Sequence, residues 1–260
     1  MEANWNEAQK RIRSNTCSEC NRNAQRRGCS QKVMIGRTDT TGIRYVFVSQ
    51  DPALYWVKSK DDGGLALTSG DEISERFIKA CKGEKTDDGR VIKRGVFEYA
   101  GKLLDRTHFN PAGDDVYWSH VLRCPPKESN GEIRKDWKGA KKYCPGFLES
   151  ELKAIESKRF CVVSIGRRSL RVCSKILDIP LKGRRKSLKK EGISVEGNGI
   201  THWHRYQIEH QDSLGTSRRF EGKEITLFGF THSSRANTSG KDLVADIMNG
   251  PGGLLKRLYH

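Results

Sequence analysis

The chain has 260 residues, of which 35% are hydrophobic and 31% charged, and its formal net charge is +16 at pH 7. No apolar run approaches the length of a membrane span, and the N-terminus lacks the apolar core of a signal peptide, so we expect a cytoplasmic protein with no membrane partner. The positive charge predicts a polyanionic partner, usually the phosphate backbone of a nucleic acid. A basic surface that serves only solubility is the alternative.

The predicted elements alternate between strands and helices. Four short segments rich in β-branched or aromatic residues are typical of buried strands: residues 44–49, 116–122, 160–165 and 225–231. Helical spacing of apolar residues appears in 71–81, 95–105, 144–155, 167–177 and 238–248. This order predicts one α/β domain over 1–260, a three-layer α/β/α sandwich around a mainly parallel, four-stranded sheet.

Residues 182–223 interrupt this alternation. The segment is basic and contains three histidines, His202, His204 and His210, but no cysteine, and we favour a solvated loop over a metal site. We interpret it as a surface insertion, such as a hairpin, that extends a DNA-facing edge.

Cys17 and Cys20 form a close pair near the N-terminus, and Cys124 and Cys144 follow about a hundred residues later. Four thiolates suit an iron–sulfur cluster or a structural zinc ion. In an intracellular chain, metal binding is more common than a disulfide framework. We therefore expect a metal centre that ties the N-terminal segment to the rest of the domain. Cys29 is an alternative to one of the N-terminal ligands.

Two further cysteines are predicted to be core residues. Cys161 opens an apolar run and Cys173 lies in a helical pattern, so both are expected to pack in the interior.

Polar residues follow each predicted strand. In a parallel sheet, ligands bind beyond the carboxyl ends of the strands. The segments at those ends are Gln50-Asp51-Pro52, Arg123-Cys124-Pro125, Gly166-Arg167-Arg168 and His232-Ser233-Ser234.

Several of these segments are similar to motifs of one enzyme superfamily. The segments concerned are Val-Phe-Val-Ser-Gln-Asp-Pro-Ala (46–53), Val-Tyr-Trp-Ser-His-Val-Leu-Arg-Cys-Pro-Pro-Lys (116–127), Cys-Pro-Gly-Phe-Leu-Glu-Ser-Glu (144–151) and Phe-Thr-His-Ser-Ser-Arg-Ala-Asn (230–237). In this order they resemble the iron–sulfur branch of the uracil-DNA glycosylases. The resemblance implies a monomeric DNA glycosylase with a 4Fe–4S cluster on the four cysteines, zinc being the alternative.

The resemblance implies catalytic roles for Asp51 and His232. A carboxylate near the sugar stabilises an oxocarbenium-like transition state and orients water, whereas a hydrogen-bond donor near the base stabilises its developing negative charge. The structural alternatives are a turn-capping aspartate at Asp51 and a loop histidine bonded to backbone at His232.

The predicted base-binding residues are Gln50, Ala53, Tyr55 and His120. Ala53 stands where uracil enzymes commonly have a tyrosine that blocks the 5-position of the base, and His120 stands where the branch has an asparagine that recognises uracil. These departures predict a 5-substituted pyrimidine, such as hydroxymethylcytosine or its glucosylated form in phage DNA, and a role in antiviral defence.

The predicted contacts to DNA come from two loops and comprise Ser233, Ser234, Arg235, Asn237, Arg167 and Arg168. Three alternatives remain: a uracil-DNA glycosylase of base-excision repair, a non-catalytic metal-stabilised nucleic-acid-binding protein, and a magnesium-dependent nuclease.

Overall fold

Five strands form the central sheet. The computed structural model describes residues 4–14, 33–50, 52, 70–85, 95–124, 144–179, 216–230, 232–233 and 241–259. Within them the sheet has the order β2-β1-β3-β5-β4. Its strands are β1 (Tyr45–Ser49), β2 (Val116–His120), β3 (Arg159–Ile165), β4 (Thr216–Phe220) and β5 (Lys223–Phe230). All neighbouring pairs are parallel except β4 with β5. The α/β class and the mostly parallel sheet are confirmed.

The expectation of four strands was wrong, because β4 lies in the segment assigned to a surface insertion. β4 and β5 form a hairpin whose two turn residues, Glu221 and Gly222, have φ angles of 47° and 75°. Two consecutive positive φ angles are typical of the tight turns that match strand twist. Residues 216–223 therefore belong to the sheet and its hairpin, and the rest of the predicted insertion lies outside the described residues.

The helices begin and end close to the predicted positions, and two were not predicted. The helices are α1 (Trp5–Ser14), α2 (Gly70–Cys81), α3 (Gly95–Leu104), α4 (Pro145–Ala154), α5 (Arg167–Ile176), α6 (Lys241–Asn249) and α7 (Leu254–Leu258). The short α7 and the N-terminal α1 are the additions. No helix in the described ranges has both the length and the apolar character that crossing a membrane requires.

Helices pack against both faces of the sheet, as two neighbouring residues of β2 show. The Trp118 ring lies 5.4 Å from Phe77 of α2 and 5.7 Å from Phe97 of α3. The Tyr117 ring points to the other face and lies 5.1 Å from Trp5 of α1. Successive residues of a strand face opposite sides of its sheet, so α2 and α3 cover one side and α1 the other.

Candidate active site and metal centre

The carboxyl ends of four parallel strands gather at one edge of the sheet. Strands β1, β2, β3 and β5 are paired in register up to these ends. His120 is the last residue of β2, Gln50 follows β1, Gly166 follows β3, and His232 lies just beyond β5. The structure thus brings three predicted site residues that are remote in sequence, Gln50, His120 and His232, to a common edge beside Gly166.

Gln50 connects three of the strand ends. The Nη1 atom of Arg168, at the start of α5, donates to Oε1 of Gln50 at 3.2 Å. The backbone N–H of Leu122, just after β2, donates to the carbonyl oxygen of Gln50 at 2.8 Å. Because a guanidinium group has no acceptor, the oxygen of the Gln50 amide must face Arg168.

Gly166 and His232 lie against each other between β3 and β5. Gly166 has a φ of 90°. Glycine adopts this backbone conformation readily, whereas a residue with a Cβ atom adopts it only with strain. Its N–H donates to the carbonyl oxygen of Phe230 at 2.7 Å. A Cβ atom at Gly166 would lie 3.5 Å from Cβ of His232. The glycine turn therefore brings the start of α5 next to the predicted catalytic histidine.

Ser233 extends the same loop toward α3. Ser233 and His232 are both half-buried. A Cβ atom at Gly95, the first residue of α3, would lie 3.9 Å from Oγ of Ser233. The His232–Ser233 pair thus lies between the amino-terminal ends of α3 and α5.

His120 is a buried, neutral imidazole. Its side chain is 2% exposed, and its ring meets the Phe77 ring edge-on at 5.4 Å between centroids. Burial, with a smaller contribution from the positive charge of Arg123, lowers the pKa of His120 to about 3. At neutral pH the ring therefore has one N–H donor and one acceptor nitrogen.

Other predicted site residues lie outside the described part of the chain. They are Asp51, Ala53, Tyr55, Ser234, Arg235 and Asn237; the backbone of Arg167 begins α5, but its side chain is also outside it. Asp51 is bracketed by described residues, Gln50 and the buried Pro52. Because β1 and β5 both pair with β3, their ends are two strand spacings, or about 10 Å, apart.

The predicted metal ligands are described only for the late pair. Cys144 is buried just before α4, Cys124 is half-buried after β2, and Cys17 and Cys20 lie outside the described residues. Within the described ranges, no group of three or more histidine, cysteine, aspartate or glutamate side chains has the arrangement of a metal site.

Both flanks of the segment that contains Cys17 and Cys20 are anchored near the late pair. On the N-terminal side, Ile12 packs with Phe147, which lies in the first turn after Cys144. On the C-terminal side, the N–H of Val33 donates to the carbonyl oxygen of Arg123 at 2.8 Å. The chain therefore leaves and re-enters the described structure beside Cys144 and Cys124.

Cys161 and Cys173 are core residues, as predicted. Both are fully buried, and burial raises the pKa of both thiols, that of Cys173 to about 12. Both thiols pack in the hydrophobic core, as free cysteines commonly do, so they are assigned a structural role.

No model of a known protein family matches the chain. No curated protein sequence matches it either. The functional assignment therefore depends on the residues of the site.

Glu151 is a buried charged residue that the sequence analysis did not identify, although its helical spacing indicated a buried position. Glu151 is fully buried and accepts from the Tyr117 hydroxyl at 2.8 Å, from Ser119 Oγ at 2.7 Å and from Nη2 of Arg123. It lies three residues after Leu148 and four after Phe147, so helical spacing placed it on the apolar face of α4. An acidic residue on such a face requires a buried partner, which here is Arg123.

Proposed function

We propose that the protein is a DNA glycosylase that flips a base out of DNA and hydrolyses its N-glycosidic bond, leaving an abasic site. The proposed substrate is a 5-substituted pyrimidine, such as hydroxymethylcytosine or its glucosylated form in phage DNA. The observation that carries the proposal is the gathering of Gln50, Arg168 and His232 at one edge of the sheet. Gln50 precedes the only acidic residue of its loop motif, Gln-Asp-Pro.

Asp51 acts on the sugar. As the bond between C1′ and the base nitrogen breaks, the electron pair leaves with the base and positive charge develops on the sugar. The Asp51 carboxylate stabilises that charge and orients the water that adds to C1′, and the proton released by the water passes to the carboxylate or to solvent. The hydrogen bonds to Gln50 from Arg168 and Leu122 hold the residue before Asp51 in place.

His232 acts on the departing base. A donor placed where negative charge develops lowers the barrier without reorganising during the reaction. The contact of His232 with Gly166 and the position of Ser233 beside Gly95 support a fixed orientation for this loop. The ends of β1 and β5 are about 10 Å apart with the end of β3 between them, and the proposal places the flipped nucleotide beyond these ends.

The choice of base is attributed to His120 and Ala53. An amide places a donor and an acceptor side by side, which suits the hydrogen-bonding edge of uracil. The neutral His120 ring has its donor and its acceptor on different nitrogens, so only one of them can face the base at a time. A buried polar group left unpaired by the wrong base costs free energy, so this change disfavours uracil. Ala53, in place of a bulky ring, leaves space for a substituent at the 5-position.

The net charge of +16 supports DNA as the partner. Phosphate contacts are assigned to Arg167, Arg168 and Ser233 at the site edge, together with Ser234, Arg235 and Asn237. Base flipping requires such contacts, because they compensate the loss of stacking and pairing.

The metal centre is assigned to Cys17, Cys20, Cys124 and Cys144. A 4Fe–4S cluster, or zinc in its place, would supply a structural link between the N-terminal segment and the loop after β2. Two observations support the fit: the anchored flanks at Ile12 and Val33, and the chemistry of four cysteine donors.

The substrate proposal is tested by base release. Duplex and single-stranded oligonucleotides carrying uracil, cytosine, hydroxymethylcytosine or glucosyl-hydroxymethylcytosine are incubated with the protein, and free bases are measured by mass spectrometry. Release of a modified cytosine with little release of uracil supports the proposal. Release of uracil alone indicates a repair enzyme, and DNA binding without base release indicates a non-catalytic protein.

A further inference from the structure

The strongest unassigned feature is a buried ion pair between Arg123 and Glu151. The two side chains are 1% and 0% exposed. The hydroxyls of Tyr117 and Ser119, on the same face of β2, donate to the same carboxylate. Glu151 thus holds the Arg123 guanidinium in one orientation from the helix that follows Cys144.

Stability does not by itself account for this pair. Two charges lose their hydration on burial, and apolar residues of similar volume often serve a core equally well. The pair also leaves a donor unused, because Nε of Arg123 finds no acceptor among the described residues. A buried donor in this position requires an explanation such as a bound ion or group.

The location of the unused donor indicates what it contacts. Arg123 directly precedes Cys124, and its carbonyl oxygen accepts from Val33 on the flank of the N-terminal cysteine segment. Cys144 is near enough to act electrostatically on the guanidinium. The Tyr99 and Tyr259 hydroxyls also lack described partners, but neither adjoins a predicted metal ligand in the sequence.

We propose that Arg123 is part of the metal site and donates a hydrogen bond from Nε to a sulfur atom there, with Glu151 as the residue that orients it. The inference rests on the proposed four-cysteine centre. Donors to sulfur and nearby positive charge tune the reduction potential of iron–sulfur clusters and stabilise thiolate ligands. In a zinc centre the same hydrogen bond would lower the charge density on the ligating sulfur.

The test compares two buried arginines. Arg123→Lys keeps the positive charge but removes the Nε donor and the planar group. The control is Arg37→Lys: Arg37 is also buried, but its guanidinium donates to main-chain oxygens, including that of Val116 at the opposite end of β2 at 3.0 Å. Proteins are purified anaerobically, and iron, sulfide and zinc are measured per chain.

Retention of the metal is then measured against a chelator, and for a cluster the reduction potential is measured as well. We expect Arg123→Lys to weaken metal retention about 10- to 100-fold, or to shift the potential to more negative values. Arg37→Lys should leave both at the wild-type value even if it lowers the unfolding temperature. Equal behaviour of the wild type and Arg123→Lys would overturn the inference.

A double variant guards against loss of folding. Arg123→Met with Glu151→Gln removes both charges and keeps an acceptor for the two hydroxyls. We expect a folded protein with the same defect in metal retention; normal retention would contradict a role of Arg123 at the metal. If the wild type holds no metal, the centre and this inference fail together. If metal is present and unaffected by Arg123, only the inference fails.

Discussion

Arg168 and Gln50 form a hydrogen bond that joins the start of α5 to the end of β1, with Nη1 of Arg168 3.2 Å from Oε1 of Gln50. The bond connects residues that are 118 positions apart in the sequence. It fixes the residue that precedes Asp51, so Arg168 is expected to influence catalysis as well as DNA binding.

Arg168→Ala should lower the single-turnover rate of base release about 100-fold, because small displacements of a reacting group have effects of this size. DNA affinity should fall by less than about 10-fold, the scale of one lost phosphate contact. Arg171→Ala is the control. Arg171 is an exposed residue on the same helix, and its substitution removes the same charge. Equal effects of both substitutions on the rate would contradict the positioning role.

Gly166→Ala should destabilise the protein by about 1–3 kcal/mol, the cost of holding a side chain at a φ of 90° and a ψ of 160°. The new methyl group would also contact His232. Urea unfolding gives the free energy. Gly146→Ala in α4 is the control. The added Cβ atom would meet no atom within 4 Å, so this substitution should stabilise the protein by about 0.5–1 kcal/mol. An unchanged urea midpoint for Gly166→Ala would show that a side chain at this position causes no backbone strain.

His120 should make stability depend on pH. The unfolded chain binds a proton at this ring near pH 6.5, whereas the folded protein binds it near pH 3, so acid favours the unfolded chain between these values. The folded state is therefore most stable, as far as this ring is concerned, above about pH 6.5, and its free energy of unfolding decreases as the pH falls from there toward 3. At pH 4.5 the wild type should lose about 2–3 kcal/mol relative to His120→Gln, each compared with its own value at pH 7. Parallel curves for the two proteins would show that the ring is not held neutral.

The metal centre predicts different effects for different cysteines. Cys124→Ala and Cys144→Ala should abolish stoichiometric iron or zinc, whereas Cys161→Ala and Cys173→Ala should keep it, because the latter thiols are buried in the core. Broad visible absorbance would identify the iron–sulfur form. Metal analysis of anaerobic preparations distinguishes the cases, and a metal-free wild type would reject the centre.

The sequence predicted the four parallel strands well, because each is a run of buried β-branched and aromatic residues. It missed β4, Thr-Ser-Arg-Arg-Phe, because an edge strand with polar residues lacks that pattern. It also missed α1, although Trp5, Ala8 and Ile12 recur at helical spacing and are all buried. In that helix three apolar positions stand among charged residues, so the pattern is weak.

Residues of the candidate site were predictable from position alone only where they directly follow a strand. Gln50 and His232 were selected in this way, whereas His120 was selected through the family resemblance; the structure places all three at one edge. The bond between Arg168 and Gln50 and the pair between Arg123 and Glu151 connect distant segments through side-chain geometry, which periodicity does not specify. Local patterns determine the elements, whereas these pairings depend on how the elements pack.

The most direct test of the proposed function is Asp51→Asn, assayed for base release and for DNA affinity on the substrate that the wild type prefers. The substitution keeps the size of the side chain and removes the charge that we propose stabilises the sugar cation. The matched control is Asp71→Asn, which removes the charge of an exposed side chain in the first turn of α2. We predict that Asp51→Asn lowers base release at least about 100-fold, as expected for the loss of a catalytic acid–base group, and retains DNA binding. Wild-type base release by Asp51→Asn would contradict the glycosylase mechanism.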